Sequence, residues 1–556
     1  DIKLKVTIAT ELRDKVEIFQ SVEYKRFLAL LLPVFTSILR DGQPAFSSNA
    51  SEQASGGRRG CGMHTARDGL PDGVQRLRQT ILEIIHRFPH NDDLAQYASD
   101  LMALLLRLLR VENEENAVIC LKIIIDLHRT YKELLEEHVQ PFLNIVMEMY
   151  RNMPKAVADT FDHPCTPAPT GGSMMMMSPR PSSPADFGDT PAKALARGMH
   201  SFKVLTECPI IVVLLFQPHR RSVAANIQSF VPLIMEMLSL QAKPQTEAHA
   251  AAAACGEVFV GVSPAIKNRA VYTEFIIAQI KTVSFLAYIL RVYAAQLRQY
   301  QSVIPEAIIR LLRDCPPEAS STRKELLVAT RHIISTDFRN AFIDHIDILL
   351  NEKVLIGTGV TSHETLRPLA FSTLADLVHH VRTKLSLPQL SRTVYMYSRN
   401  LHDSTLASSI QTMCAKLLLN LVECIKHASD RAEGRQLLMR ILDTFTNKFH
   451  TLNSQFPIVR QRCLQAYQHG SKQDTAQEQD GSRAGKLEDG MDVDLEGHAT
   501  GEQESELDLL RYRSIAVPAT PHETHLDTLK DMRFLFRNLV SGLKNIMGGL
   551  KTLNPP

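Results

Sequence analysis

The amino-acid sequence predicts an all-α fold, a solenoid of stacked helical pairs interrupted by disordered insertions. Three observations predict it. Apolar residues recur at steps of three and four, which places them on one face of a helix. No segment alternates with period two for long enough to make a strand. Between Thr322 and Phe449 the pattern is written three times, as pairs of amphipathic helices of ~40 residues, the period of stacked helical repeats. A lone pair cannot bury its apolar face, so neighbouring pairs must stack, which makes an extended surface rather than a single pocket.

In chain order, Ile8 to Phe19 with Tyr24 to Leu39 forms the first pair, and Val74 to Phe88 with Leu94 to Arg110 the second. Asn116 to Tyr131 and Pro141 to Tyr150 form a third. Leu195 to Glu207, Ile210 to Phe216 and Val223 to Leu240 are shorter and less regular; Arg269 to Leu297 is long, and Val303 to Leu312 follows it. The clear repeats come next. The first runs from Leu326 and Ile333 to Phe338, Phe342, Ile346 and Leu349; the second carries Leu366, Ala370, Leu374, Leu377 and Val381, then Leu390, Val394, Tyr397 and Leu401. The third carries Ile410, Met413, Leu417 and Leu421, then Leu438, Ile441, Phe445 and Phe449, and Leu526 to Leu550 resumes a helix later. Thr322 with Glu325 and Thr361 with Glu364 have the spacing of a capping box, and Asp430 with Glu433 is a weaker version. Cys315-Pro-Pro and Gly357-Thr-Gly stop helices.

Three stretches break the pattern. They lack the large apolar residues needed to offset ordering entropy, so disorder is expected. The organisation expected is a helical pair at 1–40, a disordered insertion at 41–73 and helical repeats at 74–160. A disordered Pro/Ser-rich loop follows at 161–191, helical repeats at 192–467, an acidic disordered linker at 468–508 and the start of a further repeat at 509–556. The chain opens in helical pattern at Asp1 and closes at Asn554-Pro-Pro, as expected of a segment cut from something longer.

Composition excludes little and points the same way. Acids and bases nearly balance at net charge +2, with no electrostatic footprint for nucleic acid. There is no Trp, so the core is mainly aliphatic. The nine Cys are scattered without a C-x-x-C, which supports neither a zinc site nor a disulfide framework and fits a reducing compartment. Pro209 to Phe216 and Leu101 to Leu109 are intensely apolar but short, and no stretch is expected to span a bilayer.

Motifs that could carry chemistry each have a structural account. His363-Glu364-Thr365-Leu366-Arg367 has Arg where a zinc protease needs its second His, and His522-Glu523-Thr524-His525 has it one residue early. His379-His380 closes a helix, where a cation complements the dipole. Gly357-Thr-Gly359 lacks a third Gly, and Asp186-Phe187-Gly188 has no H-R-D loop to accompany it. Glu114-Glu115 and Glu136-Glu137 read as solvated helix faces, as do Arg107, Arg110 and His219-Arg220-Arg221 as surface, with Arg58-Arg59 in a disordered stretch. Thr166, Ser178, Ser183 and Thr190 each precede Pro and are minimal proline-directed phosphorylation sites; the acidic run around Glu488 to Glu496 is a spacer or a dock for a basic partner. No catalytic, cofactor-binding or metal residue is expected.

Several words of the chain are distinctive. Glu112 to His128 (ENEENAVICLKIIIDLH), Pro209 to Leu214, Gln279 to Tyr288 and, longest, Glu364 to Arg382 (ETLRPLAFSTLADLVHHVR) resemble, in order, the N-terminal helical region of the transformation/transcription domain-associated proteins, closest to fungal members. Ser409 to Met413 and Lys416 to Val422 continue the resemblance. Ala54 to Val74 departs from it and has the look of a translated intron. The resemblance implies a HEAT-like solenoid from a pseudokinase scaffold of the phosphatidylinositol-3-kinase-related family. It implies a nuclear, non-enzymatic subunit of SAGA-type histone acetyltransferase complexes, with no cofactor. The implied partners are the other subunits of those complexes and transcriptional activators, not DNA sequence, membrane or a small molecule. The alternative from another class is a karyopherin-like transport receptor.

Overall fold

The computed structural model describes residues 2–15, 21–41, 72–162, 197–477 and 521–553. Among them there is no strand, and one isolated bridge joins Asn113 to Arg197. The chain divides into two compact units, Asp1–Thr373 and Leu374–Pro556.

The first unit contains α1 (Ile2–Lys15), α2 (Ser21–Asp41), α3 (Asp72–His86), α4 (Asp92–Ala95), α5 (Ala98–Val111), α6 (Glu114–Thr130), α7 (Glu136–Phe161) and α8 (Phe202–Phe216). It continues with α9 (Arg220–Ser239), α10 (Lys243–Ala254), α11 (Arg269–Leu297), α12 (Val303–Asp314), α13 (Ser320–Ile334), α14 (Ile346–Leu349) and α15 (Glu352–Leu355). The division falls inside α16 (Val360–Val381). In the first unit α1, α3, α6, α8, α11 and α13 pack one after another as one layer, and α5, α7 and α9 form a second. Side chains joining successive helices of a layer show the period directly. Ser99 donates to Glu137 across a separation of 38 residues; Ser284 donates to Glu325 across 41, and Arg291 reaches His332 across 41. The ~40-residue period expected from apolar spacing is therefore the offset between these pairs, whereas α1 with α3 and α7 with α9 meet across 70 and 86 residues.

α11 contributes most to this core, with Tyr272, Phe275, Phe285 and Leu290 all buried. Contrary to the sequence expectation, it is the one helix among the described residues long and apolar enough to cross a membrane. Two-thirds of its most apolar window is buried by protein, against α8, α9 and α13, so it reads as the core helix of a repeat array.

The second unit contains the end of α16, then α17 (Leu387–His402), α18 (Ser408–Ile425), α19 (Arg431–Gln477) and α20 (Pro521–Thr552). α18 packs on α17 and α20, and α19 on α20. The period persists: Asn420 meets His379 across 41 residues, and His402 meets the Thr444 carbonyl across 42.

Several boundaries differ from expectation. α8 runs unbroken through Pro209, where two segments were expected; the missing N–H removes one bond, while Leu205, Ile211, Val212 and Leu215 are buried on either side of it. α10 has no apolar period and went unpredicted; its alanines and an early Pro favour helix instead. The second element of the first clear repeat begins as a nine-residue 3-10 run, Asp337–His345, before α14. Thr322 is not a cap: α13 begins at Ser320, and Glu325 instead pairs with Lys281 at 2.8 Å. Asp430 does cap α19, accepting the Glu433 N–H at 3.0 Å. Thr361 lies one residue inside α16, and the side chains of residues 360–365 lie outside the described residues. α19 extends into the segment read as a disordered linker; the rest of 468–508 up to 520, like 42–71 and 163–196, lies outside them.

Candidate interaction surface

Helix C-termini leave carbonyls without an intrahelical partner. Here, long polar side chains from a following helix meet several of them. Arg78 of α3, fully buried, donates to the Ile38 and Leu39 carbonyls at 3.0 and 2.9 Å, and Glu112 balances its charge. Gln279 donates to the Met237 and Leu240 carbonyls at 2.8 and 2.9 Å, at the end of α9, and Arg310 reaches the same end. Arg323 donates to the carbonyls of Leu312 (2.7 Å), Cys315 (3.3 Å) and Val354 (2.8 Å), joining the ends of α12 and α15. In the second unit Gln411 donates to the Asp403 and Leu406 carbonyls, both at 2.9 Å, and accepts from the buried Lys448 at 2.7 Å. Burial pushes both Arg323 and Lys448 below their ordinary values. These groups stitch repeats together.

The motif residues fall as follows. Gly357 sits at φ +95°, and a Cβ there would lie 2.9 Å from Arg323 Nε, so the glycine serves a turn beside the buried guanidinium. His379 bonds Asn420 at 3.0 Å; burial and then Arg382 lower its affinity for a proton, so the dipole-cation account does not hold for it. Glu114 was expected to be solvated but is 5% exposed and accepts from Ser201 at 2.8 Å, because α8 begins over the start of α6. His219 was expected at the surface but is buried, its ring 6.4 Å from that of His128. Burial and then the neighbouring His219 push His128 down to about 4. Among the described residues no group of three or more His, Cys, Asp or Glu could hold a metal ion. The side chains of His363, Glu364, His522 and His525 lie outside the described residues, as do Arg58, Arg59, Thr166, Ser178, Ser183, Asp186, Thr190 and Glu488 to Glu496.

One surface cleft combines unlike chemistries. Leu106, Arg107 and Arg110 of α5 and Pro141, Asn144 and Ile145 of α7 line an open space of about 460 Å³. Leu106 and Ile145 are buried and form its apolar floor, while both arginines are exposed and Arg110 pairs with Glu148 of α7. Along α7 Gln140 donates to Asn144 at 2.9 Å and to Asn226 of α9 at 3.1 Å, and Asn226 donates back to Gln140 at 2.9 Å and to the Ser222 carbonyl at 2.7 Å. Sequence reasoning missed these carboxamides, since single polar residues on a helix face carry no pattern. The only signal was the four-residue spacing of Gln140 and Asn144, which puts them on one face.

Layered helices, polar stitching between repeats and an open cleft define a helical-repeat protein of the kind that works through its surface. Residues 271–555 match the family described as the Tra1 HEAT repeat central region, and the chain belongs to that family of transcription-associated proteins. The description names the central part of the repeat array, whereas the resemblance alone pointed to the N-terminal part. The chain is 39% identical over 81% of its length to the transformation/transcription domain-associated protein of Danio rerio. It is 33% identical over 100% of its length to the SAGA complex/NuA4 acetyltransferase complex subunit TRA1 of Saccharomyces cerevisiae, and 36% over 100% to the Schizosaccharomyces pombe subunit of the same description. It spans 11%, 16% and 14% of these relatives' lengths. Such relatives give the transport-receptor alternative no support, and it is set aside.

Proposed function

We propose that this chain is part of a non-catalytic scaffold subunit of SAGA-type and related histone acetyltransferase complexes. It acts in the nucleus, where transcriptional activators bound at chromatin recruit the complex through the subunit and so regulate transcription. The observation that carries this reading is the alignment of the whole of this chain with a part of two fungal proteins named as SAGA/NuA4 acetyltransferase complex subunits. The fold supports it: stacked repeats offer extended binding surface, and holding an acetyltransferase near an activator raises its effective concentration at the nucleosome. The test is affinity purification of the full-length protein from its own cells. An acetyltransferase and nucleosome-acetylating activity should co-purify; recovery without either sinks the proposal.

A further inference from the structure

We infer that the acidic run Glu488 to Glu496 docks onto the exposed face of α20, so that the chain occupies this surface itself. The inference stands apart from the scaffold reading and gives the run a partner within its own unit. Met532, Leu535, Leu539 and Ile546 of α20 are buried, where the helix packs on α18 and α19. Two parallel stripes face outward. Arg533, Arg537, Lys544 and Lys551 are exposed at steps of four and seven residues, and no acidic residue occurs from Arg533 to Thr552. Lys530, just before them, pairs with Asp527, whereas these four make no ion pair among the described residues. Beside them Phe536, Val540 and Met547 are each about half exposed, an apolar stripe of the kind that marks a contact surface. The run supplies the complement. Residues 487–496 hold five acids and no base, and Met491, Val493 and Leu495 alternate with Asp492, Asp494 and Glu496. In an extended chain this alternation sends apolar side chains to one side and carboxylates to the other. Laid between the two stripes, the run sets apolar against apolar and acid against base. The lengths agree: Met491 to Leu495 spans about 13 Å at the rise of a strand, and Phe536 to Met547 about 16 Å at that of a helix. So does the tether. As a coil the 24 residues 497–520 span about 27 Å, and Val540 lies about 29 Å along α20 from Pro521. A tether matched to its span brings the run close to its highest effective concentration on the face.

The experiment places the photo-cross-linking amino acid p-benzoylphenylalanine at Val540 of the full-length protein and identifies the captured peptide by mass spectrometry. Capture should fall on residues 487–496 and weaken as salt rises. Asp492→Asn, Asp494→Asn and Glu496→Gln together should cut it about tenfold. Met491→Ser, Val493→Ser and Leu495→Ser together should cut it about fivefold with every charge kept. Circular dichroism melts confirm that each variant is folded. The same cross-linker at Leu134, an exposed apolar position with no basic stripe beside it, should not capture the run. Equal capture there means the run has no particular dock and overturns the proposal. Capture at Val540 of a later segment of the polypeptide or of another subunit names a different occupant, and no capture shows an empty face; either result overturns it. Undiminished capture in the charge variant removes the pairing on which it rests. None of these outcomes bears on co-purification of the acetyltransferase, so the dock and the scaffold reading fail separately.

Discussion

At the scale of the residue, the groups that matter most are polar and buried. Arg323 meets three carbonyls with no carboxylate beside it among its hydrogen-bond partners, and Gly357 leaves room for it. Gly357→Ala should destabilise the protein by about 3 kcal/mol, from the left-handed backbone and the displaced guanidinium together. A fall in the urea midpoint without a change in slope is the reading to seek, and an unchanged midpoint refutes it. His128 makes a prediction in pH. Its folded pKa of about 4 lies below the ordinary 6.5, so the unfolded chain takes up the proton first. Its contribution is complete above about pH 6.5, is lost as pH falls toward 4, and amounts to roughly 3 kcal/mol. His128→Gln should flatten the acid limb of the stability–pH curve over that window; an identical limb in the variant contradicts the assignment.

At the scale of the element, the same chemistry governs how helices end. Gln411 closes the turn between α17 and α18 and is also the hydrogen-bond acceptor for Lys448. Gln411→Leu should therefore cost about 3–5 kcal/mol, since it orphans two carbonyls and strands a buried cation. Adding Lys448→Met should recover much of that loss, because an apolar side chain of similar volume needs no partner. Additive losses in the double-mutant cycle would show that the two do not communicate. Helices were legible from sequence wherever apolar spacing carried them, and Arg269 to Leu297 was read to the residue. α10 was illegible because alanine propensity leaves no periodic mark, and the Asp337–His345 run because its apolar spacing is that of any helix. The capping assignment at Thr322 failed because α13 begins two residues earlier, at Ser320, which leaves Glu325 to pair with Lys281. The cleft was legible only in part: Arg107 and Arg110 were noticed, but the carboxamides acquire meaning only when α9 is placed beside α7.

At the scale of the whole molecule, each repeat depends mainly on its neighbours. Phe285→Ala, in the buried middle of α11, should speed amide exchange in α8, α9 and α13 while α1 and α3 keep their protection. Uniform loss of protection across these helices would mean the first unit melts as one body. The offset of about 40 residues between α5 and α7 and between α11 and α13 has a consequence for synthesis. Each of these contacts closes over a short stretch of chain, so the earlier helix finds its partner as soon as one further repeat has left the ribosome. At roughly 5–20 residues per second that is a wait of about 2–8 seconds. Such pairs can mature while later repeats are still being made, which shortens the time their apolar faces stay open.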